Sequence, residues 1–157
     1  PLVEFAKSRG IPVRFIECMD TGNTNKWKLD EVVPSAELLE RVQQEMPLEV
    51  LPARSVGETA VRYGMSGVDG FEVGFISSVT KPFCRDCNRM RLSADGKLHA
   101  CLFAALGFDV KKLLRENRLD ELESGVKGFW GARDSRYSEL RSEGVVQEKP
   151  EMSYMGG

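Results

Sequence analysis

Three of the four cysteines fall within one short stretch, FCRDCNRMRLSADGKLHAC, running from Phe83 to Cys101. This spacing restricts the backbone more than any other feature of the chain. Cys84 and Cys87 form a C-x2-C pair, whose turn brings two sulfurs to one side. Cys101 follows after a further 13 intervening residues. Asp95-Gly96 lies between them, and an Asp-Gly pair flanked by β-prone residues is a strong hairpin signal. If residues 89–93 pair with residues 97–101, Cys101 returns towards the C-x2-C turn and the three sulfurs meet. Clustering of this kind in a 157-residue chain does not describe a disulfide scaffold. It reads as metal ligation in a reducing compartment.

A structural zinc site is normally closed by four protein ligands. The stretch supplies three thiols and one histidine. His99 is two residues from Cys101, stretched away from it along the same strand face, and reads better as a strand or surface histidine. Cys18 is the other candidate and reads as a small core residue. A zinc-binding structural or interaction module, using Cys84, Cys87, Cys101 and a fourth ligand, therefore stays open. The competing reading is an iron–sulfur cluster held by three cysteines. It leaves one iron without a protein ligand, able to receive a substrate as an open catalytic metal position does. Arg85, Arg89 and Arg91 surround the same segment. Arg89 and Arg91 alternate on the predicted strand and so share a face. Guanidinium groups pair with phosphates through two parallel hydrogen bonds, so the expected substrate is anionic and phosphate-bearing.

The remainder of the chain predicts an α/β protein. Leu2, Val3, Phe5 and Ala6 read as the end of an amphipathic helix closed at Gly10, and so abrupt an opening predicts a fragment of a longer protein. IPVRFIECM follows as a short buried strand. In parallel α/β architectures ligand contacts gather just beyond strand C-termini, which directs attention to Cys18, Met19 and Asp20. Pro34-Ser35 leads into a helix with Leu38, Leu39, Val42 and Met46 on one face, stopped by Pro47. From Thr59 the texture changes to short β-rich runs with turns at Gly67–Gly70 and Asp95-Gly96. They are predicted to form one antiparallel sheet, with a subdomain boundary near residues 50–58. Asp109 is expected to cap a helix over VKKLLREN, and Asp120 with Glu123 to open another as a capping box. Residues 133–157 read as an extended tail. The net charge of −2 argues against a dominant nucleic-acid surface, and no apolar run reaches membrane-spanning length.

The segment PFCRDCNRMRLSADGKLHACLF resembles the auxiliary-cluster segment of the radical S-adenosylmethionine GTP 3',8-cyclases of molybdenum-cofactor biosynthesis, the MoaA family. VRFIECMDTGNTNKW is similar to the last barrel strand of that family, and the terminal MSYMGG to its double-glycine tail. The resemblance implies a fold that begins with the C-terminal end of a partial (β/α)6 barrel, residues 1–50. An antiparallel sheet with helices follows as the auxiliary-cluster and GTP-binding domain, residues 51–132, and then the tail, residues 133–157. It implies that Cys84, Cys87 and Cys101 ligate a [4Fe-4S] cluster with one open iron. Arg89, Met90 and Arg91 would bind GTP, and Met19 would contact S-adenosylmethionine. Arg14 would lie near the triphosphate, and Gly156 and Gly157 would enter the cavity and be needed for turnover. The family's C-x3-C-x2-C segment is not in this sequence, so S-adenosylmethionine cleavage and a second [4Fe-4S] cluster belong to an N-terminal half. By the same resemblance, the intact enzyme would convert GTP to 3',8-cyclo-7,8-dihydro-GTP. Its product would pass to cyclic pyranopterin monophosphate synthase (MoaC). It would act in the bacterial cytoplasm or the mitochondrial matrix, without nucleic-acid or membrane partners, and a homodimer is compatible with the resemblance.

Overall fold

A computed structural model describes residues 1–141 and 149–155. The backbone divides into two compact units. The first comprises residues 1–19 and 28–87, and the second residues 20–27 and 88–157. Each is mixed α and β.

In the first unit, α1 (Leu2–Arg9) ends at Gly10, whose φ of +63° allows the left-handed cap expected there. It is followed by β1 (Val13–Ile16), a single 3-10 turn at Leu29–Glu31 and α2 (Ser35–Glu45). Then come β2 (Glu49–Val50), β3 (Val61–Met65) and β4 (Val68–Ile76). The strands form one sheet in the order β1-β4-β3-β2. β1 runs parallel to β4, with Arg14 opposite Gly74, and β3 runs antiparallel to β4, with Arg62 opposite Gly74 from the other side. The change of texture near residues 50–58 therefore does not separate two sheets, because β4 is long enough to pair on both of its edges. Side chains alternate across a strand. Phe71, Val73 and Phe75 face a core with Val3, Met46 and Leu48, and the predicted α2 face of Leu38, Leu39 and Val42 packs onto it. Phe15 stacks on Phe75, and Tyr63 meets that ring edge-on. Glu72 and Gly74 are left on the opposite face.

The second unit holds β5 (Arg91–Leu92), β6 (Lys97–His99) and β7 (Phe108–Asp109), in that order within a separate antiparallel sheet. The β-rich runs thus form two sheets rather than one. The Asp95-Gly96 hairpin is as predicted, with Gly96 at φ +84°. Helices α3 (Lys111–Arg115), α4 (Leu119–Gly131) and α5 (Tyr137–Leu140) complete it. Asp109 accepts the Lys111 amide at 2.9 Å, but from one residue before the N-cap, which is Val110 rather than the predicted Asp109. The capping box does not form: α4 begins at Leu119, so Asp120 and Glu123 lie inside the helix. Phe108 stacks on Phe129 of α4. It approaches the helix at Gly125, where a Cβ would lie 2.6 Å from the ring. The stretch read as an extended tail is helical at α5, and Met155 is buried. No helix of the described residues is long and apolar enough to cross a membrane.

Candidate functional site

The thiols divide between the two units. Cys84 and Cys87 belong to the first, where Cys84 to Cys87 forms a single turn closed by the Cys87 amide on the Cys84 carbonyl. Cys101 belongs to the second and opens a turn in which the Ala104 amide donates to its carbonyl at 3.1 Å. All three are half-buried thiols outside any disulfide. Among the described residues no three His, Cys, Asp or Glu side chains are grouped tightly enough to hold a single metal ion.

His99 is not a surface residue. It is completely buried, and its Nδ1 lies 3.1 Å from the Ala104 carbonyl. A carbonyl only accepts, so Nδ1 carries the proton and donates. Nε2 has no hydrogen-bond partner among the described residues. The ring is boxed in: a Cβ at Gly107 would come within 2.9 Å of it, and Tyr154 meets it edge-on. His99 thus buttresses the Cys101 turn through Ala104, and it is the enclosure of the ring by Gly107 and Tyr154, with no grouping of three ligands around it among the described residues, that disfavours it as a fourth zinc ligand. Cys18 is exposed rather than a core residue.

The arginine pair is only partly as predicted. β5 starts at Arg91, which stands opposite His99. Arg89 and Met90 precede the strand in irregular backbone, so strand alternation does not set the direction of Arg89. The hairpin turn is tied by the Ser93 hydroxyl, which donates to Asp95 at 2.5 Å, and by Lys97, which pairs with it at 3.1 Å. The Ser93 hydrogen bond is the largest influence holding the Asp95 carboxyl down to about 2. The Tyr154 hydroxyl reaches the same carboxylate, which anchors the segment preceding Gly156 and Gly157. Those two glycines lie outside the described residues.

In the first unit Arg14 pairs with Glu72, which also receives Arg62 Nη1 at 2.9 Å and Arg54 Nη2 at 2.7 Å. Burial pushes the Glu72 carboxyl up, but the Arg62 hydrogen bond and the nearby Arg14 charge outweigh it and hold the group below the usual range. Met19 is half-buried two residues beyond Glu17. The Glu17 carboxylate is 3% exposed. It accepts the amides of Ser35, Val79 and Thr80 and the Thr80 hydroxyl. It therefore ties the end of β1 to the start of α2 and to the turn after β4, from which the chain runs on to Cys84.

Asp20, expected among ligand contacts, is used structurally within the second unit. Its buried carboxylate accepts the Tyr137 hydroxyl at 2.5 Å, Arg141 Nε at 2.9 Å and Lys149 Nζ at 2.8 Å. The Arg141 guanidinium lies over the rings of Trp27, Phe103 and Tyr137. Burial raises the Asp20 carboxyl, and the bonds from Lys149, Tyr137 and Arg141 more than reverse that. The predicted loop thus closes on the C-terminal segment.

Glu17 and Glu72 are organising acids that the sequence reading did not select, and Asp20 is a third, which it singled out as a ligand contact instead. Their one signal is a lone carboxylate within or just beyond an apolar strand, in RFIEC, FEVGF and ECMD.

Comparison with known proteins matches residues 11–139 to the family described as Molybdenum Cofactor Synthesis C. The chain is 43% identical over 158 residues to a GTP 3',8-cyclase of Synechococcus sp. (strain CC9605), of which it covers 44%. It is 45% identical over 159 residues to a GTP 3',8-cyclase of Xanthomonas campestris pv. campestris (strain B100), of which it covers 46%. It is 40% identical over 163 residues to one of Staphylococcus carnosus (strain TM300), of which it covers 48%. All of this chain takes part in each of these alignments, and it spans about half the length of the curated relatives it matches.

Proposed function

This chain belongs to the Molybdenum Cofactor Synthesis C family, and from that premise we propose that it is the C-terminal half of a radical S-adenosylmethionine GTP 3',8-cyclase. The observation that carries the proposal is the donor set. There are three half-buried thiols, two on one turn, and the one nearby histidine is completely buried, its ring closed in by Gly107 and Tyr154. Soft thiolates suit iron–sulfur clusters as well as zinc. The set lacks the fourth ligand that a closed structural zinc site has. Cys84, Cys87 and Cys101 would hold a [4Fe-4S] cluster. With three protein ligands such a cluster supplies one iron with an open position for the purine of GTP.

The chain's own residues then have these roles. Arg89, Met90 and Arg91 bind the nucleotide, the guanidinium groups offering phosphates paired N–H donors. Arg14 contacts the triphosphate, and Met19 contacts S-adenosylmethionine. The Gly156-Gly157 end enters the cavity, led in by the Tyr154 anchor on Asp95. The C-terminal end of a partial barrel would correspond to the parallel β1–β4 portion. Cleavage of S-adenosylmethionine falls to the N-terminal half of the whole protein. The intact enzyme would abstract a hydrogen from the GTP ribose and form a carbon–carbon bond to the base, giving 3',8-cyclo-7,8-dihydro-GTP for the downstream synthase.

The test is anaerobic isolation and reconstitution of the full-length protein, with iron, sulfide and zinc measured. Iron and sulfide in equal amounts, reduced by the loss of one cluster in a triple Cys84, Cys87 and Cys101 serine variant, supports the proposal. Stoichiometric zinc with iron unchanged in that variant establishes the zinc module instead.

A further inference from the structure

β4 carries Glu72 and Gly74 on the sheet face opposite the core, and Arg14 and Arg62 stand in register with Gly74 from its two neighbouring strands. A Cβ added at Gly74 would lie 2.6 Å from Arg14 Cδ and 2.9 Å from its Nε. The Arg14 side chain therefore crosses β4 at the position that lacks a side chain, and it reaches the Glu72 carboxylate just beyond. Glu72 is itself fixed from the far side. Arg62 is buried, donates to Glu72 at 2.9 Å and to the Pro52 carbonyl at 2.5 Å, and pairs with Glu58 at 2.8 Å. Arg54 holds the same Glu72 oxygen as Arg62.

The guanidinium of Arg14 is held without being used up. A guanidinium has five N–H donors. Among the described residues Arg14 spends two, one on Glu72 and one on the Val13 carbonyl. Its side chain remains 31% exposed. Three guanidinium groups face the carboxylates of Glu72 and Glu58, so the cluster keeps a surplus positive charge. The open cavity of about 430 Å³ alongside is a poorer anion site. Arg14 does not line it, and the acids Glu49, Asp69 and Glu72 outnumber Arg54 and Arg62 there.

We infer that Glu72 and Gly74 are positioning residues that hold the Arg14 guanidinium in a fixed direction for a nucleotide phosphate. The inference rests on the reading of Arg14 as a triphosphate contact. A preset guanidinium loses less rotamer freedom when a phosphate arrives. Glu72 and Gly74 touch no substrate and act through Arg14 alone.

The experiment is equilibrium binding of GTP to the full-length holoenzyme under anaerobic conditions, with S-adenosylmethionine binding and cluster content measured in parallel. Arg14→Ala is expected to weaken GTP binding. Glu72→Gln is expected to weaken it by about tenfold, the equivalent of 1.4 kcal/mol, with S-adenosylmethionine affinity unchanged. Gly74→Ala is expected to do the same by displacing the Arg14 stem rather than its partner. The deciding readout is coupling: in an Arg14→Ala background, Glu72→Gln and Gly74→Ala should each change GTP affinity by less than about twofold. A purely structural role would weaken GTP equally with and without Arg14, and that result overturns the inference while leaving the role of Arg14 intact. If Arg14→Ala leaves GTP affinity unchanged, the role of Arg14 falls and the inference falls with it.

Discussion

Glu17 makes the sharpest stability prediction, because one buried carboxylate collects hydrogen bonds from two separate segments. The Ser35, Val79 and Thr80 amides each approach it at 2.8 Å and the Thr80 hydroxyl at 2.6 Å. Replacement by glutamine puts an NH2 where one oxygen was. The tolerable side is that of Oε1, where the Thr80 hydroxyl can turn and accept, and the Ser35 amide alone loses its acceptor. A hydrogen bond to a charged group contributes about 1.5–3 kcal/mol, so Glu17→Gln should destabilise by about 2 kcal/mol. Glu17→Ala strands the buried Ser35 amide, the part-buried Val79 and Thr80 amides and the Thr80 hydroxyl, and should cost about 4 kcal/mol, with water limiting the loss. Both tryptophans, Trp27 and Trp130, lie in the second unit. Denaturation followed by circular dichroism, together with hydrogen exchange at Val79 and Thr80, is therefore the appropriate assay. Burial raises the Glu17 carboxyl, yet the bonds from Thr80, Ser35 and Val79 leave it below its ordinary value. A carboxylate depressed in the folded state adds stability above its unfolded pKa of about 4.3, and that stability is lost as pH falls through the folded value. The gap between wild type and Glu17→Gln should therefore be full at neutral pH and close in acid. Equal stability of the two at neutral pH, or a gap that widens in acid, would refute this account.

Two glycines of α4 should respond in opposite directions. Gly125→Ala drives a Cβ to within 2.6 Å of Phe108, whose ring is backed by Phe129, and should lose about 1–2 kcal/mol. Gly128→Ala meets no described atom within 4 Å and should gain about 0.5–1 kcal/mol of helix propensity, both read by thermal denaturation. Asp20→Asn removes the buried counter-charge of the part-buried Arg141 and Lys149 and should cost about 3 kcal/mol at neutral pH. Its depressed carboxyl gives the same sign as Glu17, so the deficit should shrink as pH falls below about 3.9. Cys101→Ser in the full-length protein should lose iron from the auxiliary cluster assigned to Cys84, Cys87 and Cys101, while S-adenosylmethionine cleavage, measured as 5'-deoxyadenosine release, persists. Normal conversion of GTP by that variant would refute the ligand assignment.

Local signals were the legible ones. Gly10, the α2 face of Leu38, Leu39 and Val42, and Asp95-Gly96 each state a backbone conformation within a few residues, and each appears as read. Sheet membership was not legible. Nothing in VRFI or FEVGFI says that these two segments, some 60 positions apart in register, run parallel to each other. Pairing depends on which edges are left after the core is buried, and that is a property of the whole chain. Buried acids fail for the same reason. Glu17 looks like a solvated charge until the partner amides at Ser35, Val79 and Thr80 are brought to it. His99, read as a strand or surface histidine, does lie on β6, but strand alternation alone does not reveal that Gly107 and Tyr154 cover it. The cysteine spacing suggested a metal, and the hairpin between Cys87 and Cys101 formed as expected. The resemblance, and not the spacing, supplied GTP.

The closure on Asp20 has a consequence for the order of assembly. Its partners Tyr137, Arg141 and Lys149 are 117 to 129 positions away in sequence. Contacts at such separation form late, since the chain entropy of a long loop must be lost first. During synthesis Asp20 emerges well before any of these partners has been made. The Thr21–Trp27 loop thus waits beside the unmatched Asp20 carboxylate until Lys149 has been made. A chain that stops short of Lys149 should be handled by the cell as unfinished, with this loop the place a protease cuts.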